Sequence, residues 1–227
     1  MSDTEPVIIV DGKEQKLYVV NGVNKLSILK TYTVSTAKNG FGNVDGSLKT
    51  PLGIHRIKTR IGDGAAPGTV LSSAGVTSTI ITIYKDKTDV AEDLVTTRLL
   101  WLDGAESSNA NSYSRYIYIH GTPEEGLIGT PQSHGCVRMK NDDVIELFSI
   151  AKVGTYVDIV NGLPTAVTPS SPTSSAGTAA AKPPEKRLSH PTETESYDKV
   201  LSYKDIIVKA AKDHNAPEPI IEAIMFH

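Results

Sequence analysis

The chain has 227 residues, of which 39% are hydrophobic and 22% are charged, and its formal net charge is −3. These values are typical of a globular protein with one substantial core, and they offer no basic footprint for binding nucleic acid. No apolar run approaches the roughly 18 residues that a membrane-spanning helix needs. The opening residues, MSDTEP, lack the basic region and the long apolar core of an export signal.

Short β-type runs separated by turns dominate the first part of the chain. They cover residues 7–10, 16–20, 26–35, 53–59, 79–84, 98–102 and 116–120. Asp11-Gly12 and Asn21-Gly22 lie between consecutive runs, and such dipeptides favour the turns that join antiparallel strands. Tyr and Ile alternate with period two in residues 116–120, so this strand would carry His120 at its end. The pattern predicts a mainly β, largely antiparallel domain.

One helix is predicted after residue 140. Apolar residues recur there at helical spacing (Val144, Leu147, Phe148 and Ala151). Asn141 can cap this helix, and the acidic residues Asp142 and Asp143 favour its positive end. Residues 155–160 then have the pattern of a closing strand, so we expect the domain to cover residues 5–162.

The remaining residues have a different composition. Residues 163–196 are rich in Pro, Ser, Thr and Ala and have almost no large apolar side chains, which predicts a disordered linker. Residues 197–227 have two short helical patterns and predict a small helical tail. About 30 residues rarely form an independent core, so this tail is interpreted as a fragment.

Cys136 is the only cysteine, which excludes an internal disulfide and leaves its thiol either inert or chemically employed. It lies in the stretch IHGTPEEGLIGTPQSHGCVRM, residues 119–139, together with His120, His134 and Arg138. A thiol attacks a carbonyl as the thiolate, so it needs a base or a positive charge beside it. These residues alone leave open which histidine is the base. Free N–H groups near Gly135 can stabilise an oxyanion.

These residues closely resemble the signature of the L,D-transpeptidase catalytic domain family. That signature is a strand ending in His-Gly, a variable loop, then Ser-His-Gly-Cys-x-Arg-Met-x-Asn and a helix. It matches position by position here (Ser133, His134, Gly135, Cys136, Arg138, Met139 and Asn141). Upstream, SLKTPLGI at residues 47–54 is similar to the family's Thr-Pro-x-Gly segment. The resemblance covers about residues 7–160 and implies a β-sandwich with one short packed helix.

The resemblance also implies the chemistry. Cys136 would attack a carbonyl of a peptidoglycan stem tetrapeptide, at the L-centre of its diamino acid, and would release the terminal D-alanine through a thioester. An amine of a second stem peptide, or water, would then resolve the thioester. His120 would be the base, oriented by the backbone carbonyl of Gly121. His134 would line the oxyanion region with the amides of Gly135 and Cys136.

Further expectations follow from the same resemblance. Arg138 and Ser133 are predicted to contact substrate, with Arg138 binding a carboxylate or bracing the loop. No metal or cofactor is expected, the partners are peptidoglycan stem peptides, and carbapenems are expected to acylate the cysteine. The family implies a periplasmic or cell-envelope location. The tail, residues 203–227, is weakly similar to the start of a soluble lytic transglycosylase domain.

Several alternatives stay open. His120, His134 and Cys136 can be combined as three zinc ligands, although no HExxH helix or Cys-x-x-Cys pair supports a zinc site. The chain can also be an L,D-carboxypeptidase, a non-catalytic wall-binding module, or a cysteine peptidase acting on other peptides. Arg138 can pair with Asp142 or Asp143 across a helical turn. Acidic residues of the loop and the helix start, including Glu124 and Glu125, are interpreted as solvated charge, and His55 as structural.

Overall fold

The computed structural model describes residues 6–20 and 28–163. The strands are β1 Val7–Asp11, β2 Lys16–Val20, β3 Ile28–Ser35, β4 Gly53–Ile61, β5 Thr69–Ser72, β6 Gly75–Ile80, β7 Thr96–Gly104, β8 Tyr118–Gly121, β9 Val137–Met139 and β10 Tyr156–Val160. The single α-helix of this part, α1, spans Asn141–Ile150, and a 3₁₀ turn spans Glu125–Leu127. The predicted tail and all of the predicted linker beyond residue 163 lie outside the described residues, as does the Asn21-Gly22 turn.

The ten strands form one sheet that closes on itself. Their order is β4-β10-β1-β2-β3-β9-β8-β7-β5-β6, and β4 also pairs with β7. The pairs β1–β10 and β8–β9 are parallel, and the other pairs are antiparallel. The predicted mainly β fold with one packed helix is therefore confirmed.

The closed sheet surrounds one apolar core, to which every strand of the circuit contributes. Its fully buried residues include Ile8, Leu17, Val34, Ile57, Leu100, Ile119, Val137, Met139 and Ile159. Helix α1 adds Val144, Leu147 and Phe148 to this core and packs against β7 and β8. Burial of such side chains stabilises the fold by roughly 1.5 to 3 kcal/mol each. At 10 residues α1 is too short to span a membrane, and residues 6–20 and 28–163 hold no other helix that would.

Three strands differ from the sequence prediction. The expected strand at residues 79–84 is displaced, because β6 begins at Gly75 and ends at Ile80. Its partner β5 was not predicted. Strands β5 and β6 form a small hairpin, and β6 is largely exposed, so β6 lacks the alternation of buried and exposed residues by which a strand is recognised. Strand β9 was also missed, because three residues are too few for a period to be recognised.

Asn141 is not the helix cap that the sequence predicts. The N-cap position is Lys140, whose side chain makes no capping bond, and the first N–H of the helix, that of Asn141, donates to Glu125 Oε1 at 2.7 Å. The Asn141 side chain is buried and accepts the hydroxyls of Thr96 and Thr97. Its amide also donates to the Thr122 carbonyl at 2.8 Å. Asn141 therefore ties α1 to β7 and to the loop after β8.

Candidate active site

The register of two parallel strands places Cys136 and His120 on one face of the sheet. Strand β8 pairs with β9 so that Ile119 lies opposite Val137 and His120 lies opposite Arg138. Ile119 and Val137 point into the core. Because side chains alternate along a strand, His120 and Arg138 point to the opposite face, and so does Cys136 immediately before β9. The predicted nucleophile and the predicted base are thus diagonal neighbours on this outer face.

His120 is held in one tautomer by the backbone. Its side chain is almost completely buried, and Nδ1 lies 2.7 Å from the carbonyl oxygen of Gly121. A carbonyl can only accept, so Nδ1 carries the proton and Nε2 keeps its lone pair. Burial lowers the pKa of His120, although the nearby Asp93 carboxylate and the Gly121 carbonyl act in the opposite direction. The ring is therefore neutral at neutral pH and can accept a proton at Nε2.

The Cys136 thiol is half-buried and neutral in the resting protein. Its Sγ lies 3.3 Å from the Tyr116 carbonyl, to which it donates, and it accepts the Tyr118 N–H at 3.4 Å. Desolvation raises the pKa of the thiol to about 12, although the Tyr118 N–H, Arg138 and Arg115 favour the thiolate. Attack by this thiol therefore requires a base that removes its proton during the reaction.

A tight turn at residues 133–136, the nucleophile turn, holds Cys136, the predicted nucleophile. The hydroxyl of Ser133 donates to the Cys136 carbonyl at 2.5 Å and accepts the Gly135 N–H at 3.3 Å. Gly135 has a φ of +128°, a backbone conformation that L side chains rarely adopt. Ser133 is 1% exposed. Its hydroxyl is thus engaged inside the turn and braces it, and substrate contact by Ser133 stays a prediction. The Gly135 amide, expected in the oxyanion region, is likewise engaged.

His134 lies on the solvent side of this turn and contacts Asp93. Its side chain is 60% exposed, and its Nδ1 is 3.1 Å from Asp93 Oδ2. The backbone N–H of His134 donates to the same oxygen at 3.2 Å. Asp93 comes from the β6–β7 segment, residues 81–95. Nothing in the sequence pointed to Asp93, because it lies in a polar stretch without periodicity, 41 positions before His134.

Arg138 is buried between two carboxylates. Its guanidinium lies 2.5 Å from Glu124 Oε2 and 2.7 Å from Asp93 Oδ1, and its side chain is 5% exposed. The interpretation of Glu124 as solvated charge is therefore wrong, since Glu124 is 2% exposed and its burial raises its pKa. The described residues show no ion pair between Arg138 and Asp142 or Asp143. Of the two roles predicted for Arg138, bracing the loop is the one that this geometry supports.

Arg115 is a further site residue that the sequence did not indicate. It donates to the carbonyls of Lys49, at 2.8 Å, and Gly42, at 3.2 Å. The Lys49 carbonyl lies close to Gly135, only 3.4 Å from where a Cβ would be. Arg115 therefore holds the segment at residues 47–54 against the nucleophile turn, and its positive charge favours the Cys136 thiolate.

An aromatic cluster forms the wall beside the thiol. Trp101 stacks on Tyr113 and Tyr116 with ring centroids 4.1 and 5.4 Å apart, and it meets Tyr118 edge-on at 5.2 Å. Cys136 packs against this cluster. Tyr116 is 55% exposed and has a φ of +59°, which is uncommon for a residue other than glycine. The wall removes water from one side of the Cys136 thiol and leaves an exposed aromatic surface beside it.

The zinc alternative finds no support in the part of the chain that the structure describes. Within it, no three or more His, Cys, Asp or Glu side chains are grouped so that they can hold a metal ion. The Nδ1 atoms of His120 and His134 are also engaged with the Gly121 carbonyl and with Asp93.

Comparison with known proteins identifies the family. The family model YkuD, described as the L,D-transpeptidase catalytic domain, matches residues 5–159. YkuD of Bacillus subtilis (strain 168) is 56% identical over 49 residues, which are 21% of this chain and 30% of that relative. YqjB of the same organism is 49% identical over 47 residues, which are 21% and 27% of the two chains. The matched segment thus spans less than a third of either relative.

Solved structures have weaker likenesses. The match to an L,D-transpeptidase from Xylanimonas cellulosilytica covers 70% of this chain and 62% of that protein, at 17% sequence identity and a TM-score of 0.44. The match to Bd1075 of Bdellovibrio bacteriovorus covers 70% of this chain and 49% of that protein, at 19% sequence identity and a TM-score of 0.46. Likenesses at this level add nothing to the assignment, which depends on the family model. On that match, the chain belongs to the L,D-transpeptidase catalytic domain family.

Proposed function

We propose that this protein is a peptidoglycan L,D-transpeptidase in which Cys136 is the nucleophile and His120 is the general base. The observation that carries the proposal is the orientation of His120. The Gly121 carbonyl fixes the proton on Nδ1, so Nε2 is available on the sheet face that also carries the Cys136 thiol. A neutral thiol beside a neutral imidazole can transfer its proton as the sulfur attacks.

The first step acylates Cys136. The thiol proton moves to His120 Nε2 while Sγ forms a bond to the carbonyl carbon at the L-centre of the diamino acid. The C–N bond to the terminal D-alanine then breaks, and its nitrogen receives the proton from His120. The products are a Cys136 thioester and free D-alanine, and His120 is neutral again.

The second step transfers the acyl group. An amine of a second stem peptide attacks the thioester carbonyl, the C–S bond breaks, and the proton lost by the amine nitrogen restores the thiol by way of a base. Water in place of the amine gives L,D-carboxypeptidation. A substrate of this class implies that the protein acts in the cell envelope, and this location belongs to the proposal.

The environment of the thiol supports this chemistry. The aromatic wall and the Arg115-held segment flank Cys136, so charges that develop on the carbonyl oxygen meet a partly dry surrounding in which hydrogen bonds are strong. The buried Arg138 with Asp93 and Glu124 gives the floor of the site a fixed arrangement of charge. Such preorganisation is the main means by which a rigid site stabilises a transition state.

The proposal is tested by product analysis. The protein and its Cys136→Ala variant are incubated with a disaccharide tetrapeptide that carries meso-diaminopimelate, and products are identified by mass spectrometry. Loss of D-alanine with dimer formation in the wild type alone would support the transpeptidase, and loss without dimer would support the carboxypeptidase.

Two control results would contradict the proposal. D-alanine release at the wild-type rate by Cys136→Ala or by Cys136→Ser would exclude the Cys136 thiol as the nucleophile. A folded wild-type protein that binds peptidoglycan without any turnover would favour the wall-binding module instead.

A further inference from the structure

Asp93 makes three contacts that join separate parts of the site. Its Oδ2 accepts the backbone N–H of His134 at 3.2 Å and lies 3.1 Å from the Nδ1 of the same residue. Its Oδ1 lies 2.7 Å from the guanidinium of Arg138. The Asp93 side chain is 19% exposed, so these contacts are partly shielded from water. One carboxylate thus connects the nucleophile turn, strand β9 and the β6–β7 segment.

The contact with His134 determines which ring nitrogen carries the proton. A carboxylate only accepts hydrogen bonds, so the Nδ1 that faces Asp93 must be protonated. In the neutral ring, Nε2 then has a lone pair and can accept but not donate. Because the backbone N–H of His134 donates to the same carboxylate oxygen, the residue is held at two points, and its ring cannot turn without losing a contact.

The contact with Arg138 links Asp93 to the surroundings of His120, the proposed base. Arg138 lies directly opposite His120 in the β8–β9 register. Its other partner is Glu124, in the loop that follows β8. Asp93 and Glu124 therefore hold the guanidinium from two sides, and loss of Asp93 would leave it with one anchor and leave the turn at residues 133–136 untied from the β6–β7 segment.

We propose that Asp93 is a positioning residue of the reaction, which sets the His134 tautomer through Nδ1 and locks the Cys136 turn to Arg138. This inference rests on the proposed function for its kinetic consequence but not for its structural one. Its structural part concerns the resting protein and needs no substrate.

The structural part is tested by ¹⁵N NMR of the histidine side chains, with His134 assigned through a His134→Gln variant. In the wild type we expect His134 to be protonated at Nδ1 and unprotonated at Nε2 at a pH where the ring is neutral. In Asp93→Ala we expect the proton to move to Nε2 in a large fraction of molecules. An unchanged His134 spectrum in a folded Asp93→Ala variant would overturn the proposal. If that variant does not fold, Asp93→Leu, which has nearly the same shape as Asp but no acceptor atom, decides in the same way.

The kinetic part is tested with D-alanine release. We expect Asp93→Asn to lower kcat by roughly 10-fold to 100-fold while KM changes little, because small misplacements of reacting groups cost rate more than binding. Asp93→Glu, which restores the carboxylate, should recover part of kcat. The matched control is Asp86→Asn on the same segment, since Asp86 is exposed and bonds only to Thr88 in the described structure. The kcat of Asp86→Asn should equal that of the wild type.

The possible outcomes distinguish the kinetic role of Asp93 from its effect on the His134 tautomer. A wild-type kcat in Asp93→Asn would overturn the positioning role. An equal loss in Asp86→Asn would do the same, because it would trace the effect to the segment and not to Asp93. If the wild type has no turnover at all, the proposed function fails, whereas the NMR comparison still decides whether Asp93 sets the His134 tautomer.

Discussion

The single thiol should resist alkylation far more than an ordinary cysteine does. Iodoacetamide reacts with the thiolate, so its rate follows the fraction of Cys136 that is ionised. An unperturbed thiol with a pKa of about 8.5 is ionised to roughly a quarter at pH 8. Desolvation raises the pKa of Cys136 to about 12. That value leaves about one molecule in ten thousand as thiolate, a difference of about three orders of magnitude.

The assay is the time course of the mass increase of the intact protein, repeated from pH 6 to pH 10. Because the chain has one cysteine, each adduct reports Cys136 alone, and Cys136→Ala provides the blank. We expect the rate to rise about tenfold per pH unit through pH 10 without a plateau. Protein unfolded in urea should react as an ordinary thiol, with a plateau above pH 9.

Steric protection alone would lower the rate but would leave the midpoint near pH 8.5, so the shape of the profile separates the two causes. A plateau with a midpoint below pH 8 in the folded protein would contradict a raised pKa of the Cys136 thiol. It would mean that the resting site holds a thiolate and an imidazolium, and that the proton has already moved to His120.

Three further predictions concern the histidines and one glycine. The pKa of His120 is lowered by burial from its ordinary value of about 6.5, so kcat/KM for D-alanine release should stay constant as the pH falls to about 6.5 and decline only below that value, which a kcat/KM–pH profile checks. Burial lowers the pKa of His55 to about 4, below its value of about 6.5 in the unfolded chain, so protonation of His55 favours the unfolded state. The contribution of His55 to stability is therefore complete above pH 6.5, and the free energy of unfolding from urea titrations should fall by about 2 to 3 kcal/mol by pH 4.5. His55→Gln should show a flatter dependence of stability on pH. A Cβ on Gly121 would lie 2.7 Å from Asn141 Oδ1 and from the Thr96 carbonyl oxygen. Gly121→Ala should therefore lower the free energy of unfolding by about 1 to 3 kcal/mol in urea titrations and should reduce turnover. A wild-type urea midpoint in this variant would contradict the close contact.

The sequence was most informative where short-range patterns carry the structure. Alternation of Tyr and Ile placed His120 on a strand, and the structure confirms that strand as Tyr118–Gly121. Helical spacing located the buried face of α1 at Val144, Leu147 and Phe148. Both patterns are local consequences of strand and helix geometry, so they can be recognised without knowing what lies on the other side of the core.

The site partners that the sequence missed come from distant segments. The sequence offered Asp142 or Asp143 as alternative partners for Arg138, yet its partners are Asp93 and Glu124, which are 45 and 14 positions away. Arg115 holds a loop that is more than 60 positions earlier. An acidic residue in a polar stretch looks the same whether it is solvated or buried against an arginine, and only the pairing of β7, β8 and β9 brings these groups together.

The position of β10 in the circuit has a consequence for synthesis. This last strand of the described structure lies between β1, the first, and β4, and it pairs with both. A nascent chain that lacks residues 156–160 therefore has two unpaired strand edges, which are templates for association with other chains. The sheet cannot close until residues 156–160 have left the ribosome, and pairings of such long sequence separation form slowly. Truncation just before β10 should thus yield aggregates rather than a smaller folded domain, even though every predicted catalytic residue would be present.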